Sequence, residues 1–255
     1  MKVTELFDLT DRTAVVTGGA QGLGEEMAHA LAEAGADVAV ADLKKQQAEG
    51  VAADLRGMNR RSMAVEVDVA DEASVAWLVT AVKDAWGHID ILVNAAGIVN
   101  NVCAETMTTE NWERVVKVDL TGTFLTNTAV GREMIRQKSG SIINISSMSG
   151  IISNCPQPQC HYNAAKAGVA MLTKSLAAEW AQHNVRVNAL APGYMKTELV
   201  LPVLDRYLEH WLPRVPMGRI GEPWEIKGPV VFLASSASSY LTGAVIVMDG
   251  GYTCW

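Results

Sequence analysis

The sequence has little of what marks a secreted, membrane-spanning or nucleic-acid-binding protein. Only four cysteines stand in 255 residues, and none forms the C-x-x-C pair of a zinc site. Cys103, Cys155, Cys160 and Cys254 therefore read as reduced thiols. The Cys155–Cys160 spacing alone leaves room for a disulfide, and His161 is the one basic neighbour a catalytic thiol would have. The five histidines are scattered, so no clustered metal centre is expected. Positive charge is in deficit: 21 Lys and Arg against 28 Asp and Glu give a net charge of −7, the wrong sign for a nucleic-acid backbone or an anionic membrane surface. No uncharged apolar stretch approaches the ~18–20 residues that cross a bilayer. The opening MKVTELFDLTDR has no basic-then-apolar export signal. These absences predict a cytoplasmic protein whose partners include neither nucleic acid nor membrane.

What is present is an alternation. Short β-branched runs at 13–17, 37–41, 63–67, 91–95, 141–146, 185–191 and 244–248 read as strands. Most are nearly continuous apolar runs, the pattern of strands covered on both faces of a parallel sheet. Between them, three- and four-residue apolar spacing predicts helices over 23–34, 44–57, 72–86, 110–137, 160–183 and 223–236. This order indicates a doubly wound α/β sheet of about seven strands. No linker or composition break divides it, so residues 1–255 are expected to form a single domain. Segment 193–222, rich in Pro, Gly, Trp and Tyr, interrupts the rhythm just after a strand end. Ligands of open α/β sheets bind there, so the segment is a candidate lid; the alternative is a packed surface loop.

The first strand runs into Thr17-Gly18-Gly19-Ala20-Gln21-Gly22-Leu23-Gly24 and then a helix. Glycines let backbone approach a pyrophosphate closely, and the helix N-terminus offers free N–H groups. Gly18, Gly22 and Gly24 follow a G-x-x-x-G-x-G spacing rather than G-x-G-x-x-G. Asp42 ends the second strand, where a carboxylate accepts from both ribose hydroxyls of NAD and repels a 2′-phosphate. Lys44 and Lys45 favour NADP instead, so NAD is the first expectation and NADP the second. Asp42 is also a candidate helix N-cap. Asp68 ends the third strand beside the expected adenine position. Asn94-Ala95-Ala96-Gly97 closes the fourth in small residues that let a cofactor lie against backbone.

Tyr162 and Lys166 stand four apart in a helical segment, on one face. A phenol normally ionises near pH 10, and a nearby ammonium lowers that value toward a working range. Such a tyrosine can remove the proton of an alcohol as hydride leaves the carbon. Ser146-Ser147 ends the preceding strand, and adjacent strand residues face opposite sides, so one of these hydroxyls can enter the site.

With these motifs in this order, the chain resembles the short-chain dehydrogenase/reductase family over essentially its full length. The resemblance rests on T-G-x-x-x-G-x-G at 17–24, NAAG at 94–97, the Ser–Tyr–Lys set, and Pro192-Gly193 with Thr197. It implies a Rossmann-type sheet, nicotinamide-dependent alcohol/ketone chemistry and commonly a homotetramer. Tyr162 would be the acid–base residue, Lys166 would hold the nicotinamide ribose, and Ser147 rather than Ser146 would position the substrate oxygen. The cofactor would meet Gly18, Gln21, Gly22, Leu23, Gly24, Asp42, Asp68, Val69, Asn94, Ala95, Gly97, Pro192, Gly193, Met195 and Thr197, besides Tyr162 and Lys166. One position departs: Asp119 stands where the family usually has an asparagine that supports a water-linked proton relay to the lysine. An aspartate lacks the amide donors and adds a charge near Lys166; it could organise a water or pair with a cation.

The stretch SSMSGIISNCPQPQCHYNAAKAG and the ending DGGYTCW resemble the polyol and sugar dehydrogenase branch. That implies a polyol or ketose substrate, with Asn154 placed to reach a second hydroxyl. Trp211, Tyr194, Met195 and Leu199 suggest an apolar wall and a hydrophobic or steroid-like ketone as the alternative. A non-catalytic NAD-binding regulator would keep the glycine turn and Asp42 but would not need Ser147, Tyr162 and Lys166 together.

Overall fold

Seven short runs of β-branched and small residues pair side by side. The computed structural model describes residues 2–255. The strands are β1 (Thr13–Thr17), β2 (Asp37–Asp42), β3 (Ser62–Glu66), β4 (Ile91–Asn94), β5 (Gly140–Ile145), β6 (Val185–Pro192) and β7 (Val245–Met248). They form one sheet in the order β3-β2-β1-β4-β5-β6-β7, with every pairing parallel. The helices are α1 (Gly22–Glu33), α2 (Lys45–Gly57), α3 (Glu72–Trp86), α4 (Thr109–Val116), α5 (Gly122–Gln137), α6 (Cys160–Trp180), α7 (Leu201–Trp211) and α8 (Lys227–Ala234). This is the expected single Rossmann-type domain.

Strand alternation divides the core in two. Ala14 and Val16 of β1 pack with Met27 and Leu31 of α1, Val51 and Leu55 of α2, and Val230 and Leu233 of α8. Val15, between them, faces the other way with Leu78 and Val82 of α3, Val130 and Met134 of α5, and Leu176 of α6. A strand covered on both faces has no polar side to show, which is why its sequence lacks alternation. At about 25 cal/mol per Å² of apolar surface, these two layers supply most of the driving force for folding.

Three expectations need correction. The helix read over 110–137 is interrupted by a π-helical turn, Lys117–Thr121, between α4 and α5. Side-chain spacing alone does not reveal one extra residue in a turn. The 223–236 helix divides into a 3₁₀ turn, Pro223–Ile226, and α8, consistent with Pro223 and Pro229 at early positions of each. Segment 193–222 is not irregular throughout, since α7 and a 3₁₀ turn, Leu212–Arg214, occupy half of it. The four cysteines are unpaired and exposed. Among the described residues, no helix is long and apolar enough to cross a membrane, and no group of His, Cys, Asp and Glu has metal-site geometry.

Arg186 of β6 ties the far edge together. Its guanidinium donates to the carbonyls of Leu233 (2.8 Å), Ser235 (3.2 Å) and Ser238 (3.1 Å) and to the hydroxyls of Ser141 (3.1 Å) and Ser238 (2.8 Å). Removing it takes a donor from each of these groups, although the Leu233 and Ser235 carbonyls keep donors in the Ser141 and Ser238 hydroxyls. Arg186→Met should lower the unfolding free energy by about 2–4 kcal/mol in urea titrations. Arg61→Met, which breaks the surface pair with Asp37 and the contact with the Trp86 ring, should cost no more than about 1 kcal/mol.

Candidate active site

β1 has its neighbours in opposite directions, β2 and then β3 to one side, β4 onward to the other. Helices that follow strands on either side of such a switch diverge, leaving a crevice at the carboxyl ends. A cleft of about 810 Å³ opens there, a size typical of cofactor and small-ligand sites. The glycine turn forms its floor. Gly18 sits at φ +65°, and a Cβ on it would lie 2.6 Å from the Ala96 nitrogen. A Cβ on Gly24 would lie 2.0 Å from the Gly18 carbonyl oxygen. Only bare backbone closes this turn.

Gln21 gives α1 no side-chain cap, so the first N–H groups of α1 have no capping side chain. Its Oε1 instead accepts from the Lys44 ammonium at 2.8 Å. The Asp42 carboxylate is fixed at the cleft edge by the N–H groups of Ala20 (3.2 Å) and Lys44 (2.9 Å). Asp68 accepts from the Ala70 N–H at 2.9 Å. A glycine floor, an uncapped helix start and an edge carboxylate are the parts a nicotinamide dinucleotide needs for its pyrophosphate and ribose.

The cleft is lined by Gly18, Gln21, Gly22, Leu23, Gly24, Asp42, Asp68, Val69, Ala95, Gly97, Asp119, Ser147, Tyr162, Lys166, Pro192, Gly193, Met195 and Thr197, all expected from the sequence. Two expected residues stand apart from it. Asn94 points into the core, where its amide donates to Asn144 at 2.9 Å and its oxygen accepts from Thr126 at 2.6 Å. Asn154 spends both polar atoms on protein, donating to the Tyr194 hydroxyl (3.0 Å) and accepting from Gln159 (3.1 Å). Asn94 was expected at the cofactor from the family resemblance and Asn154 at a second substrate hydroxyl, and both have their side-chain polarity satisfied internally.

Strand alternation separates the two serines. Ser146 donates to the Lys166 carbonyl at 2.8 Å and so anchors α6. Ser147 caps the 3₁₀ turn Met148–Gly150 through the Ser149 N–H, 3.1 Å away, with its hydroxyl at the cleft. Tyr162 is partly open to the cleft, and the Lys166 ammonium stands 5.5 Å from its ring centre. Lys166 is buried, donates to the Ile145 carbonyl (3.1 Å) and lies 3.1 Å from Asp119 Oδ2. Asp119 is fully buried, and its Oδ1 accepts from the Ile98 N–H at 2.8 Å. Gly97 makes room for this pair, since a Cβ there would lie 3.0 Å from the carboxylate and 3.2 Å from the ammonium.

The electrostatics differ from the simple expectation. Burial pushes the Asp119 carboxyl up, against the pull of Lys166 and the Ile98 N–H. Burial also opposes the charge on Lys166, yet Asp119 and the Tyr162 oxygen carry its pKa above the usual lysine value. For Tyr162, lost solvation raises the phenol, Lys166 lowers it, Asp119 raises it again and Ser147 lowers it. The pull from the ammonium is there, but the net direction is upward.

The sequence profile described as Enoyl-(Acyl carrier protein) reductase matches residues 18–253. A galactitol 2-dehydrogenase of Rhizobium johnstonii is 44% identical, with 100% of both chains covered. A ribulose-forming D-arabinitol 2-dehydrogenase of Scheffersomyces stipitis is 40% identical over 98% of this chain and 96% of its own. Among solved structures, a short-chain type dehydrogenase/reductase from Mycobacterium marinum superposes with a TM-score of 0.97 at 43% identity over both full chains. A gluconate 5-dehydrogenase from Burkholderia cenocepacia, in complex with NADP and tartrate, gives a TM-score of 0.95 at 35% identity, again over both full chains. The chain belongs to the short-chain dehydrogenase/reductase family. Its relatives act on alcohol groups, and this family member is an oxidoreductase interconverting a secondary alcohol and a ketone.

Several cleft residues of this dehydrogenase/reductase escaped the sequence reading. Gln157 and Gln159 line the cleft, as does Ser149. Gln157 is held at both ends, donating to the Tyr194 hydroxyl (2.7 Å) and accepting from the Trp211 indole (3.1 Å). Tyr194 stacks on Trp211 with ring centres 3.8 Å apart. Burial pushes the Tyr194 phenol well above its ordinary range, so it serves as a neutral hydroxyl. Gln159 donates toward Ser149, Asn154 and Asn163. The signal was present in Pro156-Gln157-Pro158-Gln159: prolines favour extended backbone, and period-two spacing puts both glutamines on one side.

The glycine floor makes a direct test. Gly18→Ala should lose about 1–2 kcal/mol from left-handed backbone alone, with the Ala96 clash added, and weaken dinucleotide binding at least about tenfold by fluorescence titration. Gly50→Ala in α2, where a Cβ meets nothing within 4 Å, should be neutral or slightly stabilising.

Proposed function

We propose that this protein is an NAD-dependent dehydrogenase of a polyol or sugar alcohol, with the matching ketose as the other reaction partner. The observation that carries this reading is the convergence of Ser147, Tyr162 and Lys166 on one cleft that also holds the glycine turn. In this reading Tyr162 takes the hydroxyl proton on oxidation and returns it on reduction. Ser147 donates to the substrate oxygen, and Lys166 holds the ribose side of the cofactor. A bound nicotinamide supplies the hydride acceptor or donor. Asp42 favours NAD, because its carboxylate already faces the cleft edge and would meet a 2′-phosphate with like charge. Lys44, bonded to Gln21, is the group that would soften this preference, and the gluconate 5-dehydrogenase is a neighbour whose structure is a complex with NADP.

Polyol chemistry is favoured by two polyol-acting relatives and by the hydroxyl and amide groups of Ser147, Ser149 and Gln159 on one cleft wall. A second reading, reduction of a hydrophobic ketone, draws on the apolar lining of Tyr194, Tyr207, Trp211 and Val203. We assign that lining to a lid, residues 193–222, because this segment carries it through α7 and meets the rest of the cleft through Gln157. Exposed apolar side chains on α4, α5 and α6 (Trp112, Phe124, Met171), with Val247 and Trp255 near β7, support a homotetramer. Unpaired thiols suit a cytoplasmic setting.

A screen of NAD reduction over tetritols, pentitols, hexitols and hydrophobic secondary alcohols tests the substrate class. Turnover confined to the hydrophobic alcohols would defeat the polyol reading. Tyr162→Phe should lower kcat by roughly 10²–10⁴-fold while dinucleotide binding holds. Asp42→Ala should weaken NAD about tenfold or more and narrow the gap to NADP in paired Kd measurements.

A further inference from the structure

Asp119 is the residue at which this site departs from the arrangement expected of it, and its surroundings say what it does. Two donors converge on its carboxylate, the Ile98 N–H at 2.8 Å and the Lys166 ammonium at 3.1 Å. Oδ2 makes no hydrogen bond of its own, and the charge it lies against is the Lys166 ammonium. The charged form fits the geometry. The Lys166 ammonium therefore already has a full counter-charge in contact, whereas the Tyr162 ring lies 5.5 Å from it. An asparagine at the same position would leave the ammonium uncompensated.

We propose that Asp119 is a positioning residue that neutralises the Lys166 ammonium and thereby keeps Tyr162 a protonated phenol, and so a proton donor, well into the alkaline range. This rests on reading Tyr162 as the acid–base residue. The charged groups acting on Tyr162 are Lys166 of its own helix and Asp119 of the π turn; those acting on Asp119 are Lys166 and His161. The Ser147 hydroxyl, two residues past β5, acts on the phenol in the lowering direction, and Arg114 and Lys117 line the same cleft from α4 and the π turn. Burial is the first cause of the upward direction of the Tyr162 phenol, and Asp119 acts in the same sense by working against the lowering pull of Lys166.

The consequence is directional. Oxidation needs the phenolate to take a proton, so its rate climbs only as Tyr162 ionises. Reduction needs the phenol and holds across neutral pH. Asp119→Asn removes the competing charge and keeps the shape of the side chain.

The test is a tyrosinate absorbance titration of the protein without added dinucleotide, with Tyr162 isolated as the difference from the matching Tyr162→Phe protein. Wild-type Tyr162 should ionise above about pH 10, its unperturbed value. In Asp119→Asn the midpoint should fall by about one unit or more, and kcat/KM for oxidation at neutral pH should rise about tenfold. A wild-type midpoint at or below about 10 overturns the proposal whether or not the variant folds. So does a folded variant with an unmoved midpoint, or a shifted rate profile without a shifted phenolate. Retained turnover in Tyr162→Phe would instead sink the assignment of Tyr162, while the absorbance midpoints would still report on Asp119.

Discussion

A lysine ammonium held out of water must find negative charge or several good acceptors, because an isolated buried charge is too costly to keep. At this site the need is met by Asp119 and by the Ile145 carbonyl. Much of the local architecture follows from it. The π turn Lys117–Thr121 carries Asp119 inward, Gly97 leaves the gap the pair occupies, and Ser146 fixes the helix that carries the lysine. π turns are uncommon and recur at functional positions, where an added residue redirects one side chain. Here the redirected group is an anion that meets the buried Lys166 ammonium.

That same compensation changes what the lysine does for its neighbour. An ammonium with a contact counter-ion projects a much weaker field than a bare one, since the two charges act on the phenol with opposite sign. The familiar argument for a tyrosine made acidic by a lysine one turn away assumes the bare cation. With Asp119 in place, desolvation is the larger influence on Tyr162, and it acts upward. Sequence spacing can identify the pair, but the sign of the shift depends on a residue 43 positions earlier (162 minus 119) and on how it is buried.

The elements that were legible in the sequence are those set by local rules. Buried parallel strands read as apolar runs, and the seven strands lie within one or two residues of their expected bounds, as hydrogen-bond boundaries usually do. The glycine turn was legible because only glycine tolerates the contacts at Gly18 and Gly24. What was not legible depends on partners distant in sequence. Asn94 and Asn154 are polar residues at plausible sites, and nothing local says that Asn144, Thr126, Tyr194 and Gln159 satisfy them. The π turn leaves the apolar spacing of 110–137 nearly intact, so a periodicity argument passes over it.

The cleft presents two unlike walls, and they contribute differently to selectivity. An apolar wall of Tyr207, Trp211 and Val203 distinguishes substrates weakly, since one methylene is worth only about 1–3 kcal/mol. A wall of hydroxyls and amides discriminates more sharply, because a substrate without the matching hydroxyl leaves a polar group unpaired in a closed site. The two are joined by Gln157, whose amide bonds Tyr194 and Trp211 at once. Moving α7 outward would break the Gln157–Trp211 bond and disturb the Tyr194–Trp211 stack. The position of the apolar lining is thus coupled to the loop that carries the polar groups.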